Sequence, residues 1–402
     1  MQKNQDIVLV FCYSNSMNKN ATKKHLVLVP LTSFYLSDSL TDEESPAKIA
    51  CSWNIPNTDI KLIKLSKVIT LSKNSENPTF DEDIIIEEAT FKIQTVFPAK
   101  NICLRFNSGF LFSFTQEDPD SLIIFPHTFE NKIRNPLTFL RLFCKGDLFA
   151  PYGFVGGKDI IPFFDFGQNF NDGYSYLYQK DVEDFLLFYR KYSILAENLR
   201  KKALENPGTI FESWYKRVNN GIYFFGQTYF TSEKNYLNPE AKDKNNLRLI
   251  YLCTALDALI GTEKPSGKKL AKKTDLILCN LTGAISIDIE KYYKERSKYI
   301  HADPDEMTAA TLNKTIEKFS VYIQKIILMS LELFNDPDFV EALTQAKQKH
   351  WFSFYEKQEL YKQYSIKKIT REAFGKVFLN KDGYDLADRR FIESKINAWS
   401  QE

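Results

Sequence analysis

Apolar positions in the first 178 residues come in short runs rich in β-branched and aromatic side chains, separated by Asn, Ser, Asp, Pro and Gly. The runs read DIVLVFCY, HLVLVPLTSFYL, IKLIKLSKVITL, DIIIEEATFKIQTVF, NICLRFNSGFLFSF and SLIIFPHTF. This spacing predicts an antiparallel β-sandwich or barrel-like domain over residues 1–178. One helix is predicted within it at NPLTFLRLFCK, and GDLFAPYGFVGGKD, dense in Gly and aromatic residues, is predicted to be a loop.

From Asp181 onward the apolar positions recur with the period of an α-helix. Six helices are predicted over residues 179–335, with Gly261 placed to stop the third and the sixth running from Glu306 to Phe334. The expected fold class is therefore α+β and multidomain, with an all-α bundle after the β-rich domain. The positions predicted to share the apolar faces of the first three helices are Val182, Phe185, Leu186, Tyr189, Ala196 and Leu199, then Phe211, Trp214, Tyr215, Val218, Ile222 and Phe225, then Leu249, Leu252, Cys253, Leu256 and Leu259.

Residues 336–402 form a third region with helical patterning. The stretches FVEALTQAKQKHWFSFYEKQELYKQY and DLADRRFIESKINAW are typical of helices, and their aromatic residues indicate that they pack on the rest of the chain. A helical C-terminal extension is therefore predicted.

The composition is that of an ordinary globular protein. Of 402 residues, 44% are hydrophobic and 26% are charged, and the length exceeds that of a single typical core. The six cysteines have no CxxC spacing and several stand in apolar runs, which predicts buried free thiols in a reducing compartment. Because no window approaches the roughly 18 to 20 apolar residues of a membrane span and the N-terminus makes a poor signal peptide, a cytoplasmic protein without membrane attachment is expected.

The net charge of +2 hides one basic region. Residues 264–298 hold nine basic and four acidic side chains. Within the run KPSGKKLAKK, the lysines at 268, 269, 272 and 273 are spaced so that they can form one helix face. A solvated face is the commoner meaning of such a run, and a nucleic-acid contact is the alternative.

Several familiar reaction centres are absent from the sequence. The four histidines lie far apart without an HxxxH or HExxH partner, and no cysteines are paired, so no metal site and no cofactor are predicted. GFVGGKD at 153–159 is one residue short of a phosphate-binding loop, and Asp159 stands where such loops have a magnesium-binding Ser or Thr, so a turn is predicted. No GxSxG segment indicates a serine hydrolase.

The stretch KYYKERSKYIHADP, residues 291–304, places Arg296 five positions before His301. On an ideal helix this spacing turns the two side chains about 140° apart. Pro304 disfavours helical geometry at the residue before it, so the helix is expected to end near His301 and free its ring to turn. The negative end of the helix dipole at that point favours a protonated imidazole.

A guanidinium and an imidazole suit cleavage of RNA by attack of a ribose 2′-OH on the adjacent phosphate. Arginine can clamp two oxygens of the five-coordinate transition state, and histidine can give or take a proton near neutral pH. One histidine cannot remove the 2′-OH proton and protonate the leaving oxygen in the same event, so a two-fold homodimer with two facing motifs is predicted. Taken by themselves, an Arg and a His at a helix end are more often dipole partners or solvated surface than catalysts.

The order of segments around this pair resembles the HEPN superfamily, most closely its Apea-like branch, over about residues 181–335. The resemblance lies in FESWYKRV, in LRLIYLCTALDALIG, in the Lys-rich segment, and in ERSKYIHAD, which is similar to the R-polar-x3-H motif that precedes a long helix. It implies a metal-independent endoribonuclease that works as a dimer through its helical domain. Such enzymes are found in toxin, abortive-infection and antiphage-defence systems.

The resemblance also implies roles for individual residues. Arg296 and His301 would carry the reaction, and Ser297 fills the polar second position of the motif. Asp257 stands where many relatives have glutamate, so it would either orient the pair or cap local backbone. The residues expected to contact the RNA backbone are Lys268, Lys269, Lys272, Lys273 and Lys298.

By analogy with the family, the N-terminal domain would be a sensor for a phage-derived or cellular trigger. A different class of function fits the same sequence, in which the helical bundle only dimerises or binds a ligand and catalyses nothing. A third, an active site in the N-terminal domain, is the least favoured because that domain shows no cluster of chemically suited residues.

Overall fold

The computed structural model of this chain describes residues 23–31, 34–37, 47–73, 82–86, 89–93, 102–116, 125–144, 148, 150, 152–155, 159–162, 175–229, 241–261, 267–278, 284–301, 309–345 and 350–365. Within these residues the fold is α+β, as predicted. The strand expected at 6–13 and the helix expected at 385–399 lie outside them.

The strands belong to the N-terminal part of the chain. They are β1 Lys23–Pro30, β2 Phe34–Ser37, β3 Ala47–Asn54, β4 Lys61–Lys73, β5 Glu82–Ile86, β6 Ala89–Ile93, β7 Ile102–Gln116, β8 Tyr152–Val155, β9 Asp159–Pro162 and β10 Ser175–Tyr178. Eight of them form one sheet in the order β6-β5-β3-β4-β7-β1-β8-β9, and β10 pairs with β2 in a separate parallel pair. Every neighbouring pair described in the large sheet is antiparallel except β3 with β5.

One strand, β8, lies where the sequence predicts a loop, and β9 begins at the last residue of that loop. β8 and β9 pair antiparallel, with Val155 opposite Asp159, so the segment that superficially resembles a phosphate loop is flanked by the arms of a hairpin. The sequence does not reveal these strands because each has only four residues, too few for an alternation of apolar and polar side chains to be recognised among the Gly and aromatic residues.

The helices are α1 Phe125–Phe143, α2 Gln179–Glu205, α3 Ile210–Gln227, α4 Ala241–Ile260, α5 Gly267–Ile277, α6 Ala284–Ile300, α7 Ala309–Phe334, α8 Pro337–Gln345 and α9 Trp351–Ser365. No helix in the described part of the chain is long and apolar enough to cross a membrane. The first residue of α2 follows directly on β10. This is the position where the spacing of apolar residues changes from that of strands to that of helices.

Helix α1 begins earlier than the sequence pattern predicts. Proline favours the first turn of a helix, so the segment NPLTF suggests a start near Pro136. In the structure Pro136 lies inside α1, and FPHTF, predicted to be the end of a strand, is its first turn. Ile133, Leu137 and Leu140 are all buried at helical spacing, which shows the apolar face that extends the helix upstream of the proline.

α1 joins the sheet to the helical region. Its Lys132 Nζ donates to the carbonyl oxygen of Ser113 on β7 at 3.2 Å. At its other end, the ring of Phe139 packs edge-on against Tyr189 of α2, and the amide of Gln324 on α7 donates to the Arg141 carbonyl at 3.0 Å. One continuous set of buried apolar side chains runs through these contacts, so the sheet and the helices share a hydrophobic core.

Helix α4 lies at the centre of the helical region, against α3, α6 and α7. The stripe predicted for it is fully buried: Leu249, Leu252, Cys253, Leu256 and Leu259 all have 0% exposure. Gly221 of α3 permits a close approach, because a Cβ there would lie 2.5 Å from Leu259. Leu259 therefore packs directly on the α3 backbone.

The described part of the C-terminal extension is built into the helical core. Trp351, at the start of α9, is fully buried and stacks on Trp214 of α3 with ring centroids 5.6 Å apart and planes 13° from parallel. Phe339 of α8 packs edge-on against the Trp214 indole. The aromatic residues of the extension thus fill the space beside α3, in agreement with the expectation that they pack on the rest of the chain.

Candidate functional site

Arg296 and His301 lie at the C-terminal end of α6. The helix ends at Ile300, as the Asp-Pro pair after it predicts, and the backbone N–H of His301 still donates to the Ser297 carbonyl at 3.0 Å. The side chains of Ser297 and His301 are exposed, whereas that of Arg296 is half-buried. The imidazole is therefore open to an incoming ligand.

Arg296 contacts Tyr293 on its own helix rather than His301. Its guanidinium carbon lies 5.9 Å from the centroid of the Tyr293 ring, one turn back along α6. Its Nε is buried and has no hydrogen-bond acceptor among the described residues. The sequence predicts that the His301 ring turns toward Arg296. Among the described contacts of one chain, these two side chains do not touch.

Asp257 of α4 and Tyr293 of α6 form a hydrogen-bonded pair beside the guanidinium. The Tyr293 hydroxyl lies 2.8 Å from Asp257 Oδ1 and 3.0 Å from the Cys253 carbonyl oxygen. Burial raises the pKa of Asp257 above its usual value, and the Tyr293 hydrogen bond and the Arg296 charge partly oppose that rise. Burial together with the nearby Cys253 and Asp257 groups raises the pKa of Tyr293 well above its usual value, so the phenol remains a donor at any ordinary pH.

Tyr293 is a site residue that the sequence analysis missed. Its spacing of three residues from Arg296 places both on one helix face, which is the signal that could have identified it. The aromatic side chain alone is more typical of core packing, and only the position of α4 across from it reveals the polar contact of its hydroxyl.

The lysines of α5 do not all share one surface. Lys268, Lys269 and Lys272 are exposed on α5, and α5 packs against α6, the helix that carries Arg296. Lys273 is buried: its Nζ lies 3.4 Å from the Ile260 carbonyl oxygen and 3.9 Å from a Glu356 carboxylate oxygen. The expectation that Lys273 belongs to an RNA-binding face is therefore wrong, because the packing of α5 turns this position toward the core.

Lys298, also expected to contact RNA, is half-buried on α6. Its Nζ lies 3.2 Å from a carboxylate oxygen of Glu295, one turn back. Part of its charge is thus balanced within the helix.

A second polar cluster, not foreseen from the sequence, covers the C-terminal end of α4. Arg217 of α3 donates through Nη1 to the carbonyl oxygens of Ala258 and Gly261 at 3.1 and 3.0 Å. His350, just before α9, lies with Nε2 3.1 Å from the Gly261 oxygen, and its Nδ1 accepts the Phe352 N–H at 3.1 Å. These donors satisfy carbonyls that have no partner inside the helix. We call the Arg217 and His350 side chains the α4 cap.

The electrostatics of the α4 cap fix the state of its histidine. Because a backbone N–H can only donate, Nδ1 must be unprotonated and Nε2 must carry the proton. Burial, reinforced by the positive charges of Arg217 and Lys273, lowers the pKa of His350 from 6.5 to about 3. His350 is therefore a neutral structural residue and unsuited to act as an acid near neutral pH.

The described cysteines fit the prediction of free thiols: Cys144 and Cys253 are buried and Cys51 is half-buried, and none is in a disulfide. Burial raises the pKa of the Cys144 thiol to about 12, and it also raises the pKa of Cys253. Neither thiol is suited to nucleophilic chemistry.

Comparison of the chain with known protein families, with curated proteins and with solved structures gives no match in any of the three. The function must therefore be argued from the side chains themselves.

Proposed function

We propose that this protein is a metal-independent endoribonuclease of HEPN type, in which Arg296 and His301 cleave RNA by 2′-OH transesterification. The observation that carries the proposal is the placement of an exposed imidazole and a half-buried guanidinium at the end of α6, a helix that packs against the lysine-bearing α5. A phosphodiester needs both a cation for its charge and a proton carrier, and this helix end offers the two together.

The proposed reaction forms a bond from the ribose 2′-oxygen to phosphorus and breaks the bond from phosphorus to the 5′-oxygen. The 2′-OH proton passes to one imidazole, and a second imidazolium gives a proton to the leaving 5′-oxygen. The Arg296 guanidinium stabilises the negative charge on the non-bridging oxygens. The products are a 2′,3′-cyclic phosphate and a 5′-hydroxyl.

This scheme needs two proton carriers, and each chain supplies one at this site. We propose that a homodimer formed through the helical region brings two copies of the α6 end into one cleft. The lack of a direct Arg296–His301 contact within the chain favours such an arrangement, since each side chain is left to complete a site with the partner's copy. The exposed Ser297 would lie at the same surface.

The lysines of α5 would hold the RNA backbone. Replacing Lys268 and Lys272 together with glutamate should weaken RNA binding and flatten its salt dependence, because phosphate contacts release counterions. The matched control replaces two exposed lysines elsewhere, Lys201 of α2 and Lys325 of α7, with glutamate, giving the same change in net charge. Equal loss of binding in both double variants would argue against a defined basic face.

We further propose that the β-rich region senses a phage-derived or cellular trigger and that the protein acts as a defence or toxin effector. The shared hydrophobic core through α1 supports coupling between the two regions, because a movement of the sheet would displace α1 and with it α2 and α7.

The deciding experiment incubates the purified full-length protein with RNA in EDTA and identifies the product ends. We expect cleavage by the wild type, loss of at least a hundredfold in rate with Arg296→Ala and with His301→Ala, and no loss with the exposed control Arg190→Ala. Cleavage that persists unchanged in both site variants would refute the proposal.

The second candidate function is a module that dimerises or binds a ligand without catalysis. One observation favours it: Arg296 contacts Tyr293 within its own chain, as expected of an arginine with a structural role. This alternative predicts that His301→Ala retains every cellular effect of the wild type, including any toxicity on expression.

A further inference from the structure

Tyr293 is held in place by three contacts, two with α4 and one with α5. Its hydroxyl lies within hydrogen-bond distance of Asp257 Oδ1 and of the Cys253 carbonyl oxygen, both on α4. On the side of α5, a Cβ placed on Gly267 would lie 2.8 Å from the Tyr293 Cβ, so the α5 backbone lies directly against the base of the side chain. The ring therefore cannot turn without moving α4 or α5.

The Arg296 guanidinium lies against this fixed ring. Its carbon atom is 5.9 Å from the ring centroid, within the range of a cation–π contact, and the two residues share one face of α6. An aromatic face attracts the cation without accepting its N–H groups in hydrogen bonds. The terminal N–H groups of the guanidinium stay available for a phosphate.

Resting on the function proposed above, we infer that Tyr293 is the positioning residue for Arg296. The ring orients the guanidinium toward the phosphate, and the anchoring of the hydroxyl on α4 fixes the ring. Asp257 then acts through Tyr293, as the acceptor that holds the phenol, and not as a direct partner of the RNA.

Spectroscopy tests the contact without any need for activity. In full-length protein labelled with ¹⁵N-arginine, the Arg296 Nε–H signal, assigned by its loss in Arg296→Lys, should show an upfield ring-current shift and slow exchange. Tyr293→Leu should move this signal to the ordinary arginine position. Tyr293→Phe, which keeps the ring but loses the hydroxyl that anchors it on α4, should leave the signal upfield but broadened or split. The matched control is Tyr223→Leu, which removes an exposed tyrosine of α3.

An Arg296 signal that is the same in the wild type and in Tyr293→Leu would overturn the inference. Should Tyr293→Leu not fold, Asp257→Ala keeps the ring and removes the nearer of the two acceptors of its hydroxyl. The expected result is then a signal that is broadened or split because the ring is no longer fixed, and an unchanged signal would overturn the inference in the same way.

Kinetics test the consequence for cleavage. Tyr293→Leu should lower kcat on the order of tenfold with little change in KM, the size of a cation–π contact. Tyr293→Phe should recover only part of that loss, because it restores the ring but not its anchor on α4. Free guanidinium should partly rescue Arg296→Ala while Tyr293 is present and should fail to rescue the Arg296→Ala, Tyr293→Leu double variant.

The two proposals can fail separately. A wild-type protein that cleaves no RNA yet shows the ring-shifted Arg296 signal would refute the ribonuclease function and keep the positioning contact. Full kcat in Tyr293→Leu, with cleavage that still depends on Arg296, would refute the positioning role and keep the ribonuclease.

Discussion

The α4 cap makes the stability of the protein depend on pH in a calculable way. His350 has a pKa of about 3 in the folded protein against 6.5 in an unfolded chain. Below pH 6.5 the unfolded chain gains a proton that the folded protein does not bind, so the free energy of unfolding falls as the pH falls toward 3. At about 1.36 kcal/mol per pH unit, lowering the pH from 7.5 to 5 should remove about 2 kcal/mol through this residue alone.

The structural cause is specific. Protonation of Nδ1 would break the hydrogen bond from the Phe352 N–H and would add a positive charge beside Arg217 and Lys273. His350→Gln keeps an N–H group for the Gly261 carbonyl but does not titrate. The variant should be less stable at pH 7.5, because the Phe352 contact is lost, and should lose less stability than the wild type on going to pH 5.

The measurement is urea unfolding of both proteins at several pH values between 7.5 and 5, compared by the difference in the free energy of unfolding. Carboxylates that titrate in this range affect both proteins equally and cancel in that difference. Parallel pH profiles for the wild type and His350→Gln would refute the reasoning. So would an NMR titration that gives His350 a pKa near 6.5, and the assignment is simple because the chain has only four histidines.

Three further changes test the packing and the assignment of the lysines. Gly221→Ala should cost about 1–3 kcal/mol in urea unfolding because its Cβ would overlap Leu259, and adding Leu259→Ala should cost less than the sum of the two single changes. Trp351→Ala should cost about 3–5 kcal/mol and expose the amides of α9 to hydrogen exchange, since the fully buried indole stacks on the α3 tryptophan. Lys273→Glu should lower the urea midpoint by placing a carboxylate against the carbonyls at the end of α4, whereas Lys272→Glu should leave the midpoint unchanged and weaken RNA binding.

Features set by local pattern could be predicted from the sequence. The buried stripe of α4 and its end at Gly261 follow from a period of 3.6 and from the helix-stopping role of glycine, and the structure confirms both. The long strands β4 and β7 likewise follow from their β-branched and aromatic runs. The end of α6 next to His301 follows from the Asp-Pro pair.

What could not be predicted depends on contacts between distant segments. The pairing of Tyr293 with Asp257 spans 36 residues, and the contact of His350 with Gly261 spans 89. Nothing in the local pattern distinguishes Lys272 from Lys273, because only the packing of α5 decides which of two adjacent lysines points inward.

The continuous core through α1 has a consequence for how the protein could respond to a signal. A domain tethered by a flexible linker can swing without disturbing its neighbour, but here Phe139 is packed on α2 and the end of α1 is hydrogen-bonded to α7. A relative movement of sheet and helices therefore requires side chains to repack along α1, which interlocked side chains permit only between discrete arrangements. The sheet and the helices are therefore packed as one body, and a fragment that starts at α2 would leave the apolar face of that helix exposed.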